Sequence, residues 1–201
     1  MLLLLVTLTI AQPISAAEGW RVVMLGDSIT AGYGLAQGDA LPVRLQEALT
    51  DRGLDVTIEN AGVSGDTTAG GLSRLDWAVQ GEPDLVIVAL GGNDGLRGID
   101  PADTRRNMDR IVGRLTERGI PVLVAGMQAP PNMGGDYARA FNAIFPEVAE
   151  AHGAAFYPFL LEGVAADPAL NQPDGIHPNA EGARLIAERM SEPVARALKG
   201  S

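Results

Sequence analysis

The 201-residue chain sets 25 Asp and Glu against 15 Lys and Arg, for a net charge of −10, and has no cysteine. Its length suits one domain with a sizeable core, and 46% hydrophobic residues with 25 glycines and 13 prolines describe a globular rather than a disordered or collagen-like chain. The acidity, with no basic run, argues against a nucleic-acid partner or an anionic membrane surface; the missing cysteines exclude disulfides, thiolate zinc sites and a cysteine nucleophile.

The first 17 residues read MLLLLVTLTIAQPISAA. Their apolar stretch, Leu2 to Ala11, is too short to span a bilayer comfortably, and Pro13 breaks it. Ser15 and Ala17 place small side chains at positions −3 and −1 of a cleavage site before Glu18. The segment reads as a secretory signal peptide whose basic n-region is missing or lies upstream, with a buried N-terminal element as the alternative. A mature domain over 18–201, with no integral membrane segment after leader removal, and a periplasmic or secreted location follow.

Beyond Glu18, strand and helix signals alternate. Arg21–Leu25 is a short buried strand. Asp39 is placed to cap a helix with Leu41, Leu45, Ala48 and Leu49 on one face, ending near Gly53. Asp55–Glu59 alternates like an edge strand, and Thr67 to Val79 reads as one helix with Leu72, Leu75 and Val79 inward. Leu85–Leu90, LVIVAL, is continuously apolar, as a central parallel strand covered on both faces would be. Asp100-Pro101 opens the next helix, with Met108, Ile111, Val112 and Leu115 at helical spacing until Gly119. Pro121–Met127 is a strand, Tyr137 to His152 a helix with an interruption at Pro146, Ala154–Phe159 a last strand. Asn179 caps a final helix whose inner side carries Leu185, Ile186, Met190 and Leu198. No repeat or linker interrupts the series. Five such alternations predict a single α/β domain with a parallel sheet between two helical layers.

In that architecture the ligand site lies outside the carboxyl ends of the strands. Three of those ends, GDSITAGYG, NAGVSGDT and GGNDGLRG, are rich in glycine and small polar residues, yet neither a phosphate loop nor a dinucleotide fingerprint is present. Of the two histidines, His152 sits at an apparent helix C-terminus and reads as structural. His177 lies in PDGIHPN, three residues after Asp174, a spacing that lets the carboxylate reach Nδ1–H and leave Nε2 as a base. A surface turn with an N-cap is the plainer reading, but it leaves the pairing of His177 with Asp174 unexplained. A base needs a nucleophile. Ser15, Ser73, Ser191 and Ser201 fall in the leader, inside a helix or near the C-terminus, leaving Ser28 and Ser64; Ser28 ends the first strand, where amide N–H groups can hold an anion. The Ser28 and Gly65 amides and the Asn93 carboxamide are candidate oxyanion donors. The elbow GxSxG is absent, so the nucleophile belongs to another architecture.

These blocks together, GDSITAGYG, SGDTTAGGLSRL, LGGNDGLRG and DGIHPN, resemble the SGNH (GDSL) hydrolase family, and within it the bacterial periplasmic acyl-CoA thioesterase I, lysophospholipase and arylesterase group. The resemblance covers nearly all of 18–201, with the blocks in the family's order. It implies a flavodoxin-like three-layer fold with a five-stranded parallel sheet. It also implies Ser28 as nucleophile, His177 as general base and then acid, and Asp174 as orienting carboxylate, with Ser28, Gly65 and Asn93 forming the oxyanion hole. Gly95, Leu96 and Ile99 resemble a loop that closes over acyl chains, and Pro130 and Met133 join them as expected substrate contacts. The expected partner is a small acyl ester or thioester, acted on by a monomer without cofactor or metal. Deacetylation of an acetylated sugar is the competing activity, disfavoured by an aromatic content of 4%. A binding protein without chemistry leaves the complete set of catalytic residue types unexplained. A metal phosphoesterase using Asp27, Asn93, Asp174 and His177 suits a chain with two histidines and no cysteine poorly.

Overall fold

The computed structural model describes residues 19–200; the segment read as a leader lies outside them. Five parallel strands form the sheet: β1 (Trp20–Gly26), β2 (Val56–Gly62), β3 (Leu85–Ala89), β4 (Val122–Ala125) and β5 (Ala155–Tyr157), in the order β2-β1-β3-β4-β5. The chain leaves β1 toward β2 and then crosses back to place β3 on the other side of β1. The strand order therefore reverses between β1 and β3, which opens a crevice at their carboxyl ends. Gly26 pairs with Gly62 on one side and with Ala89 on the other, so three strand ends finish level with one another.

The reason for the sheet is legible in the side chains. Val22–Leu25 and Leu85–Ala89 are fully buried, as central strands covered on both faces must be. Edge strand β2 alternates, with Val56 and Ile58 inward and Thr57 and Glu59 in solvent. Helices α2 (Leu41–Asp51) and α9 (Ala180–Leu198) pack on each other in one layer; α3 (Thr68–Ser73), α6 (Pro101–Glu117) and α8 (Ile144–Ala151) belong to the other. The caps at α6 and α9 follow the sequence: Asp100 accepts from the Ala102 amide at 2.9 Å and Asn179 from the Gly182 amide at 3.0 Å.

The strands differ from expectation in their ends, β2 running on to Gly62 and β4 and β5 being shorter, and the helices differ in three places. Asp39 caps no helix. It ends a short 3-10 turn, Gln37–Asp39, and pairs with Arg44, while Ala40 stands at the cap position of α2 and Pro42 occupies its first turn, where the missing N–H costs nothing. The single helix expected over Thr67–Val79 is two, α3 and α4 (Leu75–Ala78). Arg74 leaves helical geometry between them (φ −108°, ψ 8°), as its guanidinium reaches Asp66 at 2.6 Å and the Gly26 carbonyl at 2.9 Å. The break expected at Pro146 falls at Ala143, between α7 (Gly135–Asn142) and α8. A proline ring collides with the carbonyl four residues earlier, so the helix must be interrupted upstream of it, near Asn142.

The close meeting of β2 with the turn after β1 rests on Gly62. A β-carbon there would stand 2.3 Å from the Ala31 backbone nitrogen. Gly62→Ala is expected to lower stability by about 2 kcal/mol or more, because backbone rather than a flexible side chain has to move. Urea unfolding reads this directly, and an unchanged midpoint contradicts it.

Candidate active site

Ser28 is the first residue of α1 (Ser28–Ala31), directly beyond the end of β1. That strand end is pinned: the Gly26 carbonyl accepts from Arg74 and, at 3.1 Å, from the Val63 amide. His177 arrives from the far end of the chain on a loop closed by an antiparallel bridge between Asn171 and Pro178 and by the Gln172 amide donating to the His177 carbonyl at 2.8 Å. The Asn171 carboxamide anchors this loop to the carbonyls of Val164 at 2.6 Å and Asp167 at 2.8 Å.

The three side chains form a continuous relay. Ser28 Oγ lies 2.8 Å from His177 Nε2, and His177 Nδ1 lies 2.7 Å from Asp174 Oδ2. The other oxygen of Asp174 accepts the His177 amide at 3.0 Å and the Ile176 amide at 2.9 Å. The His177 amide foremost, then the Ile176 amide and the imidazole N–H, hold this carboxyl down at about 2. An ionised Asp174 accepts from Nδ1–H, which leaves the lone pair of Nε2 for the serine proton. The Ser28 hydroxyl therefore donates to the imidazole.

Asn93 lies on α5 (Gly92–Leu96), beyond β3, and Gly65 in a four-residue turn beyond β2 that the Asp66 amide closes onto the Val63 carbonyl at 3.1 Å. Gly65 sits third in that turn with φ +83°, a conformation side chains other than glycine's rarely take. The turn and α5 are laced together. Asn93 Nδ2 donates to the Asp66 carbonyl at 2.9 Å, Arg97 to the Gly65 carbonyl at 2.7 Å, and Thr68 gives both its amide (2.8 Å) and its hydroxyl (2.5 Å) to the buried carboxylate of Asp94. Sequence reasoning assigned no role to Arg97, Asp94 or Asp66, since nothing local marks their partners.

Asp27, considered from the sequence only as a ligand of a disfavoured metal site, stands inside the GDS block. Only 2% exposed, it caps α1 by accepting the Ile29 amide at 3.0 Å and meets Asn93 Nδ2 at 3.3 Å. Burial outweighs these bonds and pushes its carboxyl up to about 6.

Beside Ser28, His177 and Asn93 opens a cleft of about 540 Å³, walled by Leu96, Met127, Pro130, Phe159, Leu161 and Ile176 among others. Leu96 and Pro130 thus stand where the sequence put them. Gly95, Ile99 and Met133 do not line the cleft. Gly95 is buried against Phe141 and Pro130, the Ile99 carbonyl accepts from the Tyr137 hydroxyl at 2.9 Å, and the Met133 methyl lies against Gly98. Gly65 is also absent from the cleft lining. The opposite wall, Phe159 to Ala166, was not anticipated. Its signal was the apolar character of FLLEGVAA after the last strand. Ala166 in that wall has φ +62°, the one positive φ outside glycine among the described residues, a strained conformation for a residue with a β-carbon. His152 is structural as read: Nε2 lies 2.8 Å from Asp109, with the ring against Gly113 of α6. Among the described residues no three His, Asp or Glu side chains gather as a metal-holding group, and no helix is long and apolar enough to cross a membrane.

Known proteins resemble this chain over most of its length. Residues 24–185 match the model of the GDSL-like Lipase/Acylhydrolase family. The chain is 42% identical over 163 residues to the esterase TesA of Pseudomonas aeruginosa, covering 81% of each. It is 36% identical over 178 residues to the thioesterase 1/protease 1/lysophospholipase L1 of Escherichia coli K12, covering 88% of this chain and 84% of that one. The crystal structure of AlinE4, an SGNH-hydrolase family esterase, shares 46% identity and superposes with a TM-score of 0.76 over 92% of this chain and 99% of its own. The matched span runs from β1 into α9 and includes Ser28, Gly65, Asn93, Asp174 and His177: the chain belongs to the GDSL-like lipase/acylhydrolase family.

Proposed function

We propose that the chain is a serine esterase that hydrolyses carboxylic ester and thioester bonds of acyl substrates through an acyl-enzyme on Ser28. The observation that carries this reading is the unbroken relay from Ser28 Oγ through His177 to Asp174, at 2.8 and 2.7 Å, on the wall of an apolar cleft. The relatives named above, an esterase and a thioesterase/lysophospholipase, support it.

The acyl chain lies in the cleft with its carbonyl carbon over Ser28. His177 Nε2 takes the hydroxyl proton as Oγ attacks, and ionised Asp174 stabilises the imidazolium that forms. The tetrahedral oxyanion is held by the Ser28 and Gly65 amides and the Asn93 carboxamide. His177 then protonates the departing alcohol or thiol, and water repeats the sequence on the acyl-enzyme. The leaving group takes the proton that came from Ser28, and water restores it through His177 when the acyl-enzyme is hydrolysed. The apolar walls favour fatty acyl groups over acetylated sugars. Residues 1–17 act as a cleaved leader, the mature domain works in the periplasm or outside the cell, and it does so as a monomer.

Ser28→Ala is expected to abolish turnover of p-nitrophenyl esters while circular dichroism stays unchanged; retained turnover contradicts the nucleophile. Asn93→Ala should lower kcat by about 100- to 1000-fold.

Edman sequencing of the exported protein should begin at Glu18; an intact Met1 removes the leader.

Asp27 makes a pH-dependent prediction. Its carboxyl titrates near 6 when folded and near the ordinary 3.8 when unfolded. The folded state therefore binds more protons between these values, and stability falls as pH rises from about 4 to about 6. The loss reaches up to about 3 kcal/mol. Asp27→Asn, which keeps a capping side chain, should remove that slope in urea unfolding at pH 4 to 7. Equal slopes in both proteins would show that burying this carboxylate costs nothing.

A further inference from the structure

We propose that Tyr33 is a positioning residue for the imidazole of His177, delivered to it by the GYG turn that ends the nucleophile segment. The assignment rests on the serine-esterase reading above and adds a residue to it.

The ring centroids of Tyr33 and His177 are 4.7 Å apart, with planes tilted by 40°. Tyr33 is 54% exposed, so core packing does not account for a large aromatic there. Its backbone is held on both sides. The Tyr33 amide donates to the Ser28 carbonyl at 3.0 Å, and the Tyr33 carbonyl accepts from Gln172 Nε2 at 2.7 Å. Gln172 Nε2 also donates to the Pro178 carbonyl at 3.0 Å, so one side chain ties the tyrosine turn to the loop that carries His177. Gly32 and Gly34 on either side of Tyr33 have φ +77° and +73°. Two left-handed residues bracketing one aromatic explain the sequence Gly-Tyr-Gly. A β-carbon on Gly34 would stand 2.1 Å from Gln172 Oε1, so the second glycine also makes room for the clamp.

The relay leaves such a contact something to reinforce. Asp174 and Ser28 both bond the imidazole in its own plane, at Nδ1 and Nε2. Tilting the ring about the line joining its nitrogens swings both bonds out of plane, and the link to Cβ and the bonds themselves oppose it. An aromatic neighbour packed against the ring adds to that resistance, and Tyr33 supplies one. The π face of the tyrosine also favours the imidazolium that forms during proton transfer. Tyr33 shares a small crevice with Ser28, Gly32, Leu35, His177 and Pro178 and does not belong to the lining of the acyl cleft. Its removal therefore acts on the chemical step and spares acyl binding.

The test compares Tyr33→Leu, Tyr33→Phe and Gln172→Met with the wild type and Ser28→Ala, measuring kcat and KM on a p-nitrophenyl ester. Tyr33→Leu should lose about three- to tenfold in kcat with KM within about twofold, and Tyr33→Phe, which keeps the ring, should restore most of that loss. Gln172→Met, which lacks the donor, should lower kcat in the same direction without touching the tyrosine. A wild-type kcat in Tyr33→Leu, a loss carried mainly by KM, or a Phe variant as impaired as Leu overturns the assignment. If hydrolysis survives Ser28→Ala, the serine-esterase reading fails instead; if Ser28 is required and Tyr33→Leu is unimpaired, only the role of Tyr33 falls.

Discussion

A 2.8 Å hydrogen bond joins Ser28 to His177, residues 149 positions apart, and the chemistry depends on the sheet holding those two chain segments together. Bringing such distant groups together has a conformational-entropy cost that no local motif covers. Here the cost is met by burial. The fully apolar β1 and β3 form the centre of the sheet, their ends finish level, and the reversal of strand order between them opens the crevice in which Ser28 and Asn93 face one cleft. The final loop is then fastened by Asn171, Gln172 and the bridge to Pro178. The nucleophile and the carboxamide donor stand on short helices directly beyond rigid strands, and a short, heavily hydrogen-bonded loop carries the base, so little ordering is left to be done when substrate arrives.

The two carboxyls closest to the reacting atoms are driven in opposite directions. Asp174 stands in partial contact with solvent and accepts two amides and an imidazole N–H, so its charge is secured far into acid. Asp27 is buried beneath Ser28 and is pushed the other way, despite capping α1 and meeting the Asn93 carboxamide. The first arrangement fixes the tautomer of the base. The second places an ionisable group where burial penalises it, a local loss of stability of the kind that accumulates at active sites, where geometry takes precedence over stability.

The parts of the site that sequence alone reveals are those whose signal is local. Ser28 and Asn93 follow short apolar runs of the kind buried parallel strands have, and Asp174 stands three residues from His177, within reach on a turn. The edge character of β2 and the caps at Asp100 and Asn179 are visible for the same reason. What escapes the sequence has a distant partner. Arg97 acts on a carbonyl 32 residues away and Gln172 on one 139 residues away, and neither carries a mark of it. Gly95 and Ile99 were expected as substrate contacts from a resemblance to a loop that closes over acyl chains, and Met133 joined them; a resemblance of segments does not say which side chains face the cleft, and the turn of α5 sets Gly95 against Phe141. The Phe159–Ala166 wall was hidden because an irregular segment after the shortest strand has no periodicity to read.

The most direct test of the convergence of nucleophile, base and amide donors is the crystal structure of the protein after reaction with an alkylphosphonate ester, whose tetrahedral phosphorus mimics the acyl intermediate. The account predicts one covalent bond, from Ser28 Oγ to phosphorus, with a phosphoryl oxygen within hydrogen-bonding distance of the Ser28 amide, the Gly65 amide and Asn93 Nδ2, and His177 Nε2 facing the leaving position. A bond to any other residue, or a phosphoryl oxygen turned away from Gly65 and Asn93, would contradict it.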